Sequence, residues 1–404
     1  MLFNTVVKLI ESQYPTYHPW AEACALWTIA NAAPEARLPG GGNGLPITFN
    51  TWSIGPSRFG FKTLPAKLAV EIVKECGVKF LQPRSSVEWL INHIYTEHIT
   101  SAALFRDELS GLTAEARKQY MAGELAWLCQ ALDGTVDSRG TFAHDLSEEM
   151  EIRLNFIATC TPDIYNNIEE SFWNQGLGNR LVAINWMPDK LASTATPFMP
   201  NEDLYSSLHE KAVEEFNKIQ AANVKRVKYA SDNTGSNVYV MTLVEEQQRR
   251  IVAFDGYWKD KFNILNSYKY EANVFIKKIA ALRSIDRAVE ADLTPQVYME
   301  DYRWATKWMG DRVSEFEQMY DDWKECRLRN RPQSASMNAE QLVLNCIVKK
   351  GGSASESTLN NSLSSKIDAI ARAKALQSLL ADGKITQKWM RTATRPVSVY
   401  TVCQ

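Results

Sequence analysis

The chain has 404 residues, 45% of them hydrophobic and 23% charged, which is enough apolar sequence for a large core and excludes wholesale disorder. Lys and Arg total 45 against 47 Asp and Glu, so the net charge of −2 excludes a uniformly basic polyanion binder and makes any nucleic-acid surface a local one. No stretch approaches the ~18 apolar residues of a bilayer span, which predicts no membrane partner. Met1-Leu2-Phe3-Asn4 does not start a secretory signal, and seven cysteines without a CxxC spacing predict buried thiols in a reducing, cytoplasmic setting.

In chain order, residues 1–44 read as an aromatic-rich helical segment that ends in Pro39-Gly40-Gly41-Gly42-Asn43-Gly44. Residues 45–205 alternate strand and helix candidates. Thr48–Ile54 predicts a strand, and Leu64, Leu68, Ile72 and Val73 share one helix face. Val87, Leu90, Ile91, Ile94 and His98 mark a second helix, opened by Ser85 with Glu88 three residues on in a capping-box pattern. Ala102–Phe105, Leu154–Thr161 and Leu181–Trp186 are further strand candidates, and Glu148-Glu149-Met150-Glu151 reads as an exposed helix turn. Such alternation predicts an α/β core with a largely parallel sheet. Residues 206–328 are almost all helical; Ala305, Trp308, Met309, Val313, Phe316, Met319, Tyr320 and Trp323 recur every three or four positions. A linker at 329–337 precedes a small basic module at 338–404.

The turn Gly55-Pro56-Ser57-Arg58-Phe59-Gly60-Phe61-Lys62-Thr63 stands between a strand and a helix candidate. In a phosphate-binding loop Gly55, Ser57 and Gly60 would let the backbone wrap ATP phosphates, Lys62 would neutralise their oxygens, and the Thr63 hydroxyl would hold Mg²⁺. Phe61 lengthens the usual GxxxxGK[ST] spacing by one residue, and an ordinary Gly/Pro/Ser turn is the alternative. Some 45 residues after Lys62, the run Ala103-Leu104-Phe105-Arg106 ends in Asp107-Glu108. Asp107 is placed to complete a Mg²⁺ shell and Glu108 to polarise water, on a strand expected to neighbour that of the turn; the alternative is a solvated helix start. Phe156-Ile157-Ala158-Thr159-Cys160-Thr161-Pro162 puts a polar residue at a strand end, with Thr161 preferred to Thr159 as a γ-phosphate or water sensor. Gly176-Leu177-Gly178-Asn179-Arg180 puts Arg180 just before an apolar run, where an arginine finger serving a neighbouring subunit would sit. Trp52 and Phe59 flank the turn and could sit near a nucleobase.

Taken together, GPSRFGFKT (55–63), ALFRDELSGL (103–112), LDG (132–134), FIATCTP (156–162) and GLGNRLV (176–182) resemble the helicase-like P-loop ATPases of phages and mobile elements that occur beside primases. That family shares an ASCE-type core with AAA+ proteins and more distantly resembles minichromosome maintenance helicases. The resemblance covers residues 15–325 at motif level. Thr161-Pro162 and Asn179-Arg180 take the sensor and finger places, with Thr where the relatives have Asn. The resemblance implies an ASCE/AAA+-like P-loop core with a helical lid and a homo-oligomeric ring, a hexamer being favoured. It also implies a channel-lining loop at Thr135–His144, in which Arg139 touches DNA, and a basic residue on the lid helix, Lys269, that reaches the phosphates.

Residues 338–404 read as a winged helix-turn-helix domain: three short helices, then strands at Lys384–Trp389 and Val397–Val402 around a basic loop. From 331 onward ten basic residues oppose four acidic ones, a balance of +6. Lys366, Arg372, Lys374, Lys388, Arg391 and Arg395 are the candidate DNA contacts; protein docking is the alternative. The sequence thus predicts an ATP-driven DNA motor, a replicative helicase that uses ATP and Mg²⁺ and works with DNA and with a primase or other replication proteins. The alternatives are a regulatory NTPase that switches a winged helix without unwinding, and a non-hydrolysing scaffold.

Overall fold

The structure is a computed structural model and describes residues 1–40, 44–56, 62–83, 85–109, 123–136, 150–168, 172–173, 176–186, 200–243, 264–288, 293–329, 339–363, 369–391 and 396–403. It divides into two compact units, Met1–Trp323 and Lys324–Gln404. The first contains α1 (Leu2–Gln13), α2 (His18–Ala32), β1 (Ala36–Leu38), β2 (Leu45–Pro46), β3 (Thr51–Ile54), α3 (Thr63–Glu75), α4 (Val87–Thr96), β4 (Ser101–Arg106), α5 (Glu124–Asp133), β5 (Thr135–Val136), β6 (Met150–Glu151), β7 (Arg153–Cys160), β8 (Val182–Asn185), α6 (Glu202–Thr234), β9 (Tyr239–Val240), α7 (Ile264–Arg287) and most of α8 (Met299–Arg329).

Four strands form an all-parallel sheet in the order β4-β7-β3-β8. Phe80 adds a parallel bridge to Ala103, outside β4. The sequence reading expected β3 and β4 to be neighbours; the structure corrects this, because β7 lies between them. β7 is the longest strand of the sheet and pairs along both edges, six residues with β4 and four with β3. All eight residues of β7, Arg-Leu-Asn-Phe-Ile-Ala-Thr-Cys, are buried, which suits a strand covered on both faces. Its register pairs Phe105 with Ile157 on one side and Ile54 with Cys160 on the other.

The helices follow from the same accounting of surface. In α2 every residue from Trp20 to Ala32 is buried, and a helix that is apolar all round has to be enclosed. It packs against α1, α3, α6, α7 and β7, so α1 and α2 are built into the core of the first unit. The edge strand β8 is closed by the helical block. Tyr268 on α7 accepts from the Ala183 N–H through its hydroxyl at 3.2 Å, and Glu315 on α8 accepts from the Asn185 N–H at 2.9 Å. An edge whose donors are satisfied by side chains cannot recruit another strand there. Tyr268 also stacks on Phe316, with centroids 3.6 Å apart and planes within 2°. On α8 the predicted face is buried at Ala305, Trp308, Met309, Phe316, Met319 and Trp323.

Three smaller expectations are corrected. Ser86, not Ser85, caps α4 by accepting from the Trp89 N–H at 3.2 Å. That helix ends before His98, which sits at φ 48°. Met150–Glu151 is a strand paired with β5 rather than a helix turn, and Glu151 pairs with the buried Arg37. Among the described residues, no helix is long and apolar enough to cross a membrane.

The second unit contains α9 (Ala339–Lys349), β10 (Ser353–Ser355), α10 (Glu356–Leu363), α11 (Ala369–Ala381), β11 (Ile385–Arg391) and β12 (Pro396–Val402). Its antiparallel sheet runs β10-β12-β11. Val343, Ile347, Leu359, Leu363, Leu379, Ile385 and Tyr400 form its core.

Candidate functional site

Parallel sheets place their functional loops at the C-terminal ends of the strands, and here those ends gather Gly55, Lys62, Thr63, Asp107, Glu108 and Thr161. Lys62, buried to 9% exposure, precedes α3, and Thr63 is the helix's first residue. The N–H groups of that first turn have no intrahelical acceptor and point toward the strand ends. Thr63 Oγ1 lies 3.2 Å from Thr159 Oγ1 near the end of β7. The Thr159 hydroxyl donates to the backbone carbonyl of Asp107 and lies 3.5 Å from Asp107 Oδ1. The Leu109 N–H donates to the Thr159 carbonyl at 3.0 Å. The turn Asp107-Glu108-Leu109 is therefore pinned to β7 at both ends, with the Asp107 and Glu108 side chains exposed and Leu109 buried. Cys160, next on β7, registers the convergence. Burial raises its thiol pKa well above the usual range, the Glu108 carboxylate raises it further, and Lys62 opposes them.

Two assignments shift. Thr161 was preferred as sensor, but it lies one residue past β7, its carbonyl accepting from the Ile164 N–H at 3.0 Å and its hydroxyl capping nothing. Thr159, the second choice, is the residue that joins Thr63 to Asp107. The two are of one type and two positions apart, and only the end point of β7 separates them. Gly55 was assigned to phosphate binding; its N–H instead donates to the Cys160 carbonyl at 3.3 Å, and a Cβ there would meet Trp20 Cη2 at 2.5 Å. Its lack of a side chain serves packing. Trp52 is fully buried on β3 against Phe172, at 5.5 Å between centroids, so it cannot reach a nucleobase. Ser57, Phe59, Gly60, Arg139, Lys366 and Arg395 lie outside the described residues.

Lys67 was not anticipated. It stands one helical turn after Thr63 and pairs with Asp107 Oδ2 at 3.2 Å. The i,i+4 relation to Thr63 was legible, but its partner depends on β7 entering the sheet between β3 and β4.

Arg180 sits at the other end of the sheet. It closes a 3-10 turn, Gly178–Arg180, just before β8, whose first residue pairs with Thr51 at the start of β3. That level lies two residues of strand, about 7 Å, before Thr159, and β3 stands between β8 and β7. Its guanidinium makes a two-pronged contact with Asp133, Nε at 2.7 Å and Nη2 at 2.6 Å, and donates to the Gly176 carbonyl at 3.0 Å. The Asp133 hydrogen bonds raise the Arg180 pKa. A Cβ on Gly176, at φ 81°, would meet Arg180 Nη1 at 2.5 Å, so glycine is required there. The LDG motif is thus the seat of the finger candidate. Lys269 on α7 is engaged by Glu317 on α8.

A groove of about 630 Å³ lies at the opposite, N-terminal end of β4, lined by Asn31, Glu35, Lys79, His98, Thr100 and Asn223. It is separate from the residues above, and its principal polar pair is internal: Asn223 Nδ2 donates to Glu35 at 2.5 Å.

In the C-terminal unit Lys374 and Lys388 are exposed and Arg372 is half-buried, while Arg391 ends β11. Among the described residues no group of three or more His, Cys, Asp or Glu is placed to hold a metal ion. The chain matches no protein-family model and no curated protein.

Proposed function

We propose that the chain is an ATP-hydrolysing DNA motor: an ASCE/AAA+-like P-loop ATPase with a C-terminal winged helix, working as a ring in DNA replication. The observation that carries the reading is the gathering of Lys62, Thr63, Asp107 and Glu108 around the end of β7, from segments some 45 residues apart in sequence. An ordinary turn entering a helix does not require an acidic pair pinned opposite its first residue.

The donors suit Mg²⁺. A hydroxyl from Thr63 and a carboxylate from Asp107 are hard oxygen ligands, and this cation is commonly held by one or two such groups plus substrate phosphates and water. Bound Mg²⁺ would neutralise charge on the phosphate oxygens. Lys62 and the α3 N-terminus hold the phosphates, Thr159 orients Asp107 and Thr63, and Glu108 accepts a proton from the attacking water. Lys67 fills part of Asp107's field with positive charge and has to yield when the cation enters.

Arg180 lies at the entrance to β8, with β3 between it and β7, and is held by Asp133 rather than by a phosphate-loop residue. That is the placement a finger acting on a neighbour needs, and it supports a ring. In the C-terminal unit the order helix, strand, helix, helix, strand, strand, with an antiparallel sheet, supports the winged-helix reading, and the +6 balance supports DNA as its partner.

Particle imaging of the purified chain with ATP and single-stranded DNA tests the motor against the switch. The motor predicts closed rings; a monomer that persists at saturating ATP and DNA favours the regulatory NTPase.

A further inference from the structure

We propose that Trp389 is a base-stacking site that takes the first unpaired base at a duplex–single-strand junction. The inference rests on the DNA-binding reading of the C-terminal unit and adds the form of DNA that the unit selects. Trp389 is 69% exposed, more than the other large hydrophobic side chains found at the surface of the described residues.

The ladder explains how an indole comes to be there. β11 and β12 pair Ile385 with Val402, Gln387 with Tyr400 and Trp389 with Ser398. Directly paired residues share a face, as do alternate residues along a strand. Ile385 and Tyr400 are core residues, so Trp389 belongs to the inward face of the hairpin. It lies four residues beyond Ile385, about 13 Å along the strand. There the indole stays largely exposed, although Ser398, paired with it across the ladder, is 2% exposed.

The surroundings select the occupant. Lys388, next to it in sequence, is exposed on the opposite face of β11. Lys374 and Gln377 are exposed one turn apart on α11, the helix that leads into β11. With the +6 balance, this is a setting for a polyanion rather than an apolar protein surface. Inside a duplex, base faces are covered by their neighbours and only edges show in the grooves. An exposed indole face therefore pairs with a base that has lost its neighbour, at a strand end or fork. Such stacking tolerates any base, as a motor moving along arbitrary sequence requires.

The test uses the full chain, wild type, Trp389→Ala and Trp389→Phe, with two DNAs of equal duplex length. One is a fork with a fluorescent adenine analogue at the first unpaired position; the other is a duplex closed by hairpins at both ends. Trp389→Ala is expected to weaken fork binding by ~5- to 100-fold, the range for losing one base–aromatic stack. It is expected to leave the closed duplex within about twofold and to abolish the change in analogue fluorescence that the wild type produces. Trp389→Phe is expected to keep most of the fork affinity, since a phenyl ring still stacks. Equal fork affinity in wild type and Trp389→Ala, or an equal loss on both DNAs, overturns the inference. Either result with a wild type that binds DNA leaves the DNA reading standing; a wild type that binds neither DNA removes both.

Discussion

Glu108→Gln is expected to bind ATP as tightly as the wild type and to hydrolyse it at least ~100-fold more slowly, the scale of losing a positioned general base. The substitution keeps the shape of the side chain and removes only its capacity to take a proton. The backbone around it is fixed independently of that carboxylate, by the Thr159 hydroxyl on the Asp107 carbonyl and by the Leu109 N–H on the Thr159 carbonyl. The variant should therefore fold and bind nucleotide normally. Phosphate release under saturating ATP, with binding measured in parallel, checks both halves. Wild-type turnover in Glu108→Gln would remove Glu108 from the reaction, and a parallel loss of binding would make its role structural.

Arg180→Ala is expected to spare ATP binding and to reduce hydrolysis by about 10³-fold or more, as for other arginines that stabilise phosphoryl-transfer charge from a neighbouring subunit. The expectation follows from where the residue sits. It lies at the entrance to β8, with β3 between it and β7, so the expected catalytic effect passes through a neighbour. Mixing Arg180→Ala with Lys62→Ala subunits should restore part of the activity, because an interface that joins an intact phosphate site to an intact arginine then forms. If the mixture stays inactive while the subunits demonstrably exchange, the trans role is wrong. In the isolated chain Asp133 holds the guanidinium at 2.6 and 2.7 Å. Engaging a neighbour's phosphate requires Arg180 to leave that carboxylate, which ends α5.

Local pattern made much of the architecture legible. The spacing of Leu68, Ile72 and Val73 marked α3, and the apolar runs marked β4, β7 and β8. Sheet order was not legible, because it depends on pairings between strands far apart in sequence. Those pairings are made in three dimensions. The candidate site inherits the same limit. Lys62, Thr63, Asp107 and Glu108 were readable because loop residues between apolar runs stand out. Thr159 was ranked second and Lys67 went unnoticed because their roles depend on β7 lying between β3 and β4. Gly55 and Trp52 were over-read. Each sits beside a functional turn, but Trp20 and Phe172 use them for packing. Asp133 could be noticed as part of LDG, but only folding brings it to Arg180 across 47 residues.

The central claim is that this end of the sheet binds ATP, and Lys62 is its most sensitive point. Lys62 is 9% exposed and immediately precedes the first residue of α3. The decisive measurement is equilibrium binding of ATP with Mg²⁺ to the wild-type chain and to Lys62→Ala, with thermal unfolding of both to show that the variant remains folded. The account predicts saturable one-to-one binding by the wild type and none by a folded Lys62→Ala. Absence of ATP binding by the wild type, or undiminished binding by Lys62→Ala, would contradict it.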